Sequence, residues 1–258
     1  MAPYPLISPL PVLFPRGRAA HPDRSRRWSA AAAAVTVVLV RGVPWWGVVS
    51  SAAAPVLMVS GWTVAAALQT HSFDAVSQPV SALAAVGATD RWVMTLTFLV
   101  VGACDCVTAL ALRPARLAGR LTLIAAAVAG VLVCLNPERP GVTMPVPHMI
   151  WAAAGCLALV GWPVLASRRG PSAPWALRPA ISAGVAAVLL VLLAWFAAEL
   201  IAYGGQAGLA ERVFGIAQGL WPLVVVISCR RAAASRIPGL IQPAARPALE
   251  SAAGDQAR

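Results

Sequence analysis

The chain contains no lysine: all twenty of its cationic residues are arginine, and only nine acidic residues oppose them. Charge is scarce altogether, at 11% of 258 residues, while hydrophobic residues make up 59% and mean hydropathy is +0.76. So few charged side chains cannot clothe a water-soluble surface, which excludes an ordinary soluble domain. The three histidines, His21, His71 and His148, are too few for paired haem ligation on facing helices. The five cysteines, Cys104, Cys106, Cys134, Cys156 and Cys229, all fall inside apolar runs. They read as small packing residues, and no extracellular disulfide framework is expected. A Gly-x-Ser-x-Gly nucleophile segment is missing too. The net charge of +11 comes without a recognition motif, so no nucleic-acid partner is expected.

What the sequence has is long apolar runs. With no water in the bilayer core, only helices or a closed barrel satisfy every peptide group, and these runs are continuous rather than alternating. The expected class is all-α, a polytopic membrane protein with six transmembrane helices in an antiparallel bundle. The runs are Val43 to Leu68, Trp92 to Leu112, Leu117 to Leu135, Pro147 to Ala166, Pro179 to Tyr203 and Arg212 to Cys229. Each approaches the length needed for about 30 Å of hydrocarbon at about 1.5 Å per residue. The third is short, and Arg120 is expected to reach back to the interface.

Arginine also sets the orientation. All but Arg91, Arg139 and Arg212 precede the first run, follow the last, lie in the second and fourth connections or, for Arg120, sit in the first turn of the third run. By the positive-inside rule both termini are cytoplasmic, in a multi-pass protein of the plasma membrane. Membrane lipids are the expected partners, and oligomeric state is left open. Residues 1–38, rich in proline and arginine, are expected to be a disordered cytoplasmic tail or an over-extended translation start, with 39–231 the membrane domain and 232–258 a second tail.

The first outward connection, "HSFDAVSQPVSALAAVGATD", has helical spacing. Val76, Val80, Leu83 and Ala84 share a face, Pro79 suits a first turn and Gly87 a C-terminal stop. A short outer-surface helix between spans one and two is expected, with Thr89 or Asp90 capping span two.

Several segments then carry a resemblance: "VPWWGVVSSAAAPVLMVSGWTVAAALQ", "VSALAAVGATDRWVMT", "VPHMIWAAAG" and "GLAERVFGIAQGLWPLVVV". Over residues 39–231 the chain resembles the domain-of-unknown-function 998 family of prokaryotic integral membrane proteins. The features involved are the Ser-x-Leu loop segment, the histidine of span four and the Glu-Arg before span six. Ser81-Ala82-Leu83 departs from the pattern by lacking the acidic residue many members carry there. The resemblance implies a six-helix bundle and no established activity.

Ionisable groups in or beside spans are the default functional candidates, because each costs about 2.5 to 3.5 kcal/mol at mid-bilayer on insertion scales. His148, Glu199, Arg212, His71, Asp74 and Ser81 are expected on the outer side, where convergence would suit a polar head group. The blander reading has Glu199 pairing Arg212, His148 bonding a carbonyl of the loop helix and Ser81 bonding the backbone. Asp105 lies deep in span two, expected either to hydrogen-bond a neighbouring span or to relay protons. Gly215 and Gly219 share a face suited to close helix approach. Two functions follow: a binder or transporter of a small amphipathic ligand, or an intramembrane hydrolase that would need His71, His148 and a carboxylate around a metal. No resident cofactor or metal is expected.

Overall fold

The computed structural model describes residues 42–139 and 145–235, and every regular element among them is helical. In chain order these are α1 (Trp45–Ala67), α2 (Trp92–Ala111), α3 (Leu117–Leu135), α4 (Val146–Ala166), α5 (Pro179–Ile201) and α6 (Ala207–Ala234). All six are long and apolar enough to cross a membrane. Their outward faces carry side chains such as Val56, Leu96, Leu110, Val128 and Val191, which suit contact with lipid chains. The N-terminal tail lies outside the described residues, as do 236–258 of the C-terminal one.

Each helix packs on its neighbour in sequence, and α6 returns to α1, so the six form a closed ring. Lipid is as apolar as leucine, so helices in a bilayer associate through close packing and hydrogen bonds rather than escape from water. The contacts reflect that. Ser50 of α1 and Thr108 of α2 share a hydrogen bond of 2.8 Å. A Cβ on Gly119 of α3 would lie 2.4 Å from the backbone of Ala166 in α4, so only glycine allows that crossing. One end of the ring is filled by Leu112, Leu123, Trp162, Leu177, Val225 and Val226. The other is filled by Trp62, Ala65, Met94 and two side chains of the first connection, Val80 and Leu83.

Three local expectations need correction. Helix α6 starts at Ala207, more than a turn before Arg212, and runs past Cys229 to Ala234. Apolar character marks only the lipid-crossing part of a helix, and the polar ends continue the same hydrogen-bond ladder. The loop helix is a single 3₁₀ stretch, Val80–Ala84, preceded by Pro79 in extended conformation. Val76 is consequently exposed rather than on its buried face. The segment ends at Ala84, with Ala85 already extended, and Gly87, the expected stop, takes its left-handed φ of +94° in the turn beyond. Helix α2 is preceded by Arg91 without any side-chain cap. Thr89 is engaged elsewhere: its N–H donates to Gln69 Oε1 at 3.1 Å, and its carbonyl accepts from Gln69 Nε2 at 3.0 Å. Arg120, for its part, reaches back to the end of α2. Its Nε donates to the Ala109 carbonyl at 2.7 Å and its Nη2 to that of Leu110 at 3.3 Å, satisfying carbonyls that the end of α2 leaves free.

Candidate functional site

The connection between α1 and α2 does not hang free. Its segment 75–80 lies across the first two turns of α6. The Leu209 N–H donates to the Val76 carbonyl at 2.9 Å. Arg212 Nη1 donates to the carbonyls of Ala75 at 2.7 Å, Gln78 at 3.1 Å and Gly208 at 2.9 Å. The Glu211 carboxylate accepts the N–H of Val80. Two adjacent residues of opposite charge thus hold opposite groups of one peptide segment, the acid taking an amide and the guanidinium taking carbonyls. Gly208 makes the approach possible, since a Cβ there would lie 2.2 Å from the Gln78 carbonyl oxygen and 2.7 Å from that of Ala75. The Arg212 guanidinium also sits 5.8 Å from the Trp62 ring centre and 5.7 Å from that of Phe73, within cation–π range.

Beside this seat lies a second group of polar side chains. His148, in the first turn of α4, places Nδ1 2.9 Å from the carbonyl oxygen of Asn136. A carbonyl only accepts, so Nδ1 carries the proton. Its Nε2 lies 3.2 Å from Glu138 Oε1, an ion-pair distance, and that buried oxygen has no hydrogen-bond partner. Burial pushes the Glu138 carboxyl upward, but the facing His148 imidazole and the Ser81 hydroxyl outweigh it and hold the group below the ordinary glutamate value. The Val86 N–H donates to the Glu138 carbonyl at 2.8 Å, tying this connection to the first. Ser81, Glu138 and His148 border a cavity of about 10 Å³ whose remaining wall includes Ala84, Phe98 and Val133.

The candidates expected from sequence divide accordingly. Ser81, His148 and Arg212 come to this end of the bundle. Asp74 stays in its own turn, where it accepts the Val76 N–H at 3.0 Å and the Ser77 hydroxyl at 2.6 Å. These bonds, the serine's first, hold the pKa of its carboxyl below the ordinary aspartate value, with a smaller contribution from Arg212. His71 is exposed. Glu199 does not pair with Arg212. Its Oε2 accepts the Gln206 N–H at 3.0 Å, closing the turn from α5 to α6, while the guanidinium is occupied by loop carbonyls. The carbonyl bonded by His148 belongs to Asn136 and not to the loop helix.

Sequence reasoning missed Glu138 and passed over Glu211. Glu138 is the sole acid in the connection that leads to His148, and so short a connection keeps its two ends close. Glu211 is visible in the sequence as the acid of the Glu-Arg pair.

Asp105 is elsewhere, roughly 20 Å along α2 from Trp92. Among the described residues its carboxylate makes no hydrogen bond and no ion pair, so the expected bond to a neighbouring helix does not form. It borders a cavity of about 30 Å³ between α1, α2, α4 and α6. Gly215 and Gly219 of α6 face Trp62 and Pro55 of α1 across the same region.

A ring of six apolar helices with a connection bound across one end defines a multi-pass membrane protein. Residues 51–228 match the model of the family described as "Protein of unknown function (DUF998)", and the chain belongs to that family. No curated protein and no solved structure matches it.

Proposed function

We propose that the capped end of the bundle holds the polar head group of an amphipathic molecule, a membrane lipid being the abundant source, and that the protein is a binder or transporter. The observation that carries this reading is the buried Glu138 Oε1, without a hydrogen-bond partner beside His148 and Ser81, in a cavity whose other wall is apolar. A polar floor against an apolar wall is what an amphipathic ligand requires. A head group bearing a hydroxyl or ammonium donor would satisfy that oxygen. Arg212 Nη2, also buried without a partner among the described residues, offers a donor to an anionic part of the ligand. The cavity of about 10 Å³ is smaller than a head group, so occupation requires the connection over it to lift.

The arginine asymmetry supports an outward orientation for this end. Arg113, Arg116, Arg168, Arg169, Arg178 and Arg230 lie at the opposite end, and the positive-inside rule favours a cytoplasmic position in the plasma membrane for that end and for both termini. The hydrolase alternative has less in its favour. It needs His71, His148 and a carboxylate around one metal, and among the described residues no three histidine, cysteine or acidic side chains gather closely enough to hold an ion.

Native mass spectrometry of the detergent-purified full chain tests the reading. Wild type and His71→Ala should retain a co-purifying amphipathic molecule, and Glu138→Gln and His148→Ala should retain about tenfold less, the factor set by roughly 1.4 kcal/mol. Equal retention by all four folded proteins would refute it.

A further inference from the structure

The cavity at Asp105 differs from the capped end in having no cation. Its wall comprises Ala54, Pro55 and Met58 from α1, Val101 and Asp105 from α2, Leu159 from α4, and Gly215, Gln218 and Gly219 from α6, none of them basic. Both polar side chains are deep in the bundle. Asp105 is about 9 Å along the helix from the end of α2 at Ala111, and Gln218 about 16 Å from the start of α6 at Ala207. The Gln218 side-chain oxygen is buried and unpartnered, and Asp105 has no partner among the described residues. A carboxylate and an unbonded amide facing one cavity at bilayer depth are each costly alone.

Prolines free two further acceptors on residues of the same wall. Pro163 and Pro222 lie inside α4 and α6. Having no N–H, each leaves the carbonyl four residues earlier without its helical partner. Those carbonyls belong to Leu159 and Gln218, both on the cavity wall. The wall therefore gathers a carboxylate, an amide oxygen and two residues with freed main-chain carbonyls, a set rich in hard oxygen acceptors. Thiolate and imidazole ligands, which softer transition metals prefer, are absent from it.

We propose that Asp105 and Gln218, with the freed carbonyls of Leu159 and Gln218, form an intramembrane site for a small monovalent cation of sodium size. Charge decides the valence: one carboxylate neutralises one positive charge, whereas a divalent ion would leave a net charge within the hydrocarbon. Size agrees, because about 30 Å³ admits a dehydrated ion with at most a water or two. Oxygen ligands without histidine or cysteine suit a hard cation. The site stands independently of the head-group reading, since it shares no residue with the capped end.

The test is thermal unfolding of the detergent-purified full chain, followed by tryptophan fluorescence in sodium chloride and in choline chloride at equal ionic strength and fixed pH. Sodium should raise the wild-type Tm saturably. Asp105→Asn, nearly isosteric, should abolish the shift, and Gln218→Leu should weaken the apparent sodium affinity about tenfold. His148→Ala should keep the shift, which separates this site from the capped end. A wild type indifferent to sodium would overturn the proposal, as would a shift that survives in Asp105→Asn or disappears in His148→Ala. A Tm that follows pH through Asp105 but ignores sodium would replace the metal cation with a proton and refute the site as stated.

Discussion

Two regions of this bundle bury polar groups, and they treat them in opposite ways. At the capped end most polar groups meet a complement: Glu211 takes an amide, Arg212 Nη1 takes three carbonyls and Glu138 faces His148, although Glu138 Oε1 and Arg212 Nη2 keep no hydrogen-bond partner. At the Asp105 cavity nothing of the kind occurs, and carboxylate and amide are left to themselves. The first pattern is how a fold fastens a connection across the end of a bundle. Buried charges that are paired hold position, and removing either partner exposes the cost of the other. The second pattern has no such structural use, which is why it points to something bound.

The strongest way to break the contrast is to unseat the connection. Gly208→Val would drive a side chain into the carbonyls of Gln78 and Ala75, so Leu209, Glu211 and Arg212 would lose their bonds to the loop together. Loss of several hydrogen bonds at about 1 kcal/mol each predicts a destabilisation of about 3 kcal/mol. Unfolding in a denaturing detergent titration would measure it, and limited proteolysis should cut within residues 69–91 of the variant while sparing the wild type.

A smaller effect should come from pH. Because the folded Glu138 carboxyl lies below the ordinary glutamate value of 4.5, it contributes stability that is present above that value and is lost as pH falls through its lower folded value. Wild type should therefore lose stability below about pH 4.5 by more than Glu138→Gln does, and identical acid profiles would remove Glu138 from the network.

The smallest effect sharpens the other side of the comparison. In sodium-free buffer, Asp105→Asn should match or exceed wild-type stability by up to about 1 kcal/mol, since it removes an unpaired charge without removing a hydrogen bond. A clear destabilisation in the same titration would show that Asp105 has a structural partner.

Much of this architecture was legible one residue at a time. Apolar runs of about twenty residues placed the helices α1 to α5 within two residues at each end, because the bilayer imposes both length and composition. Helix α6 escaped at both ends because Glu211 and Arg212 look like the edge of a span when read as charges, yet they lie in the second turn of a helix whose start is covered by another segment. The site was half legible. Ser81, His148 and Arg212 were picked out as polar residues beside spans, whereas Glu199 was assigned the wrong partner. An arginine flanked by carboxylates suggests a salt bridge, and no local pattern reveals that carbonyls from 134 or more residues away take its donors instead.

What the sequence by itself determined is the class of the molecule: its all-helical architecture, its number of spans and the asymmetry of its arginines. These follow from composition and periodicity, which the hydrocarbon core reads directly. Only the tertiary structure decided which polar groups meet. Closing the ring brought α6 against α1 and laid segment 75–80 over Gly208, and the same closure left Asp105 and Gln218 facing one cavity with no cation between them. Hydrogen bonds act over about 3 Å, so the pairing of distant residues is settled by helix packing and cannot be read from their spacing along the chain.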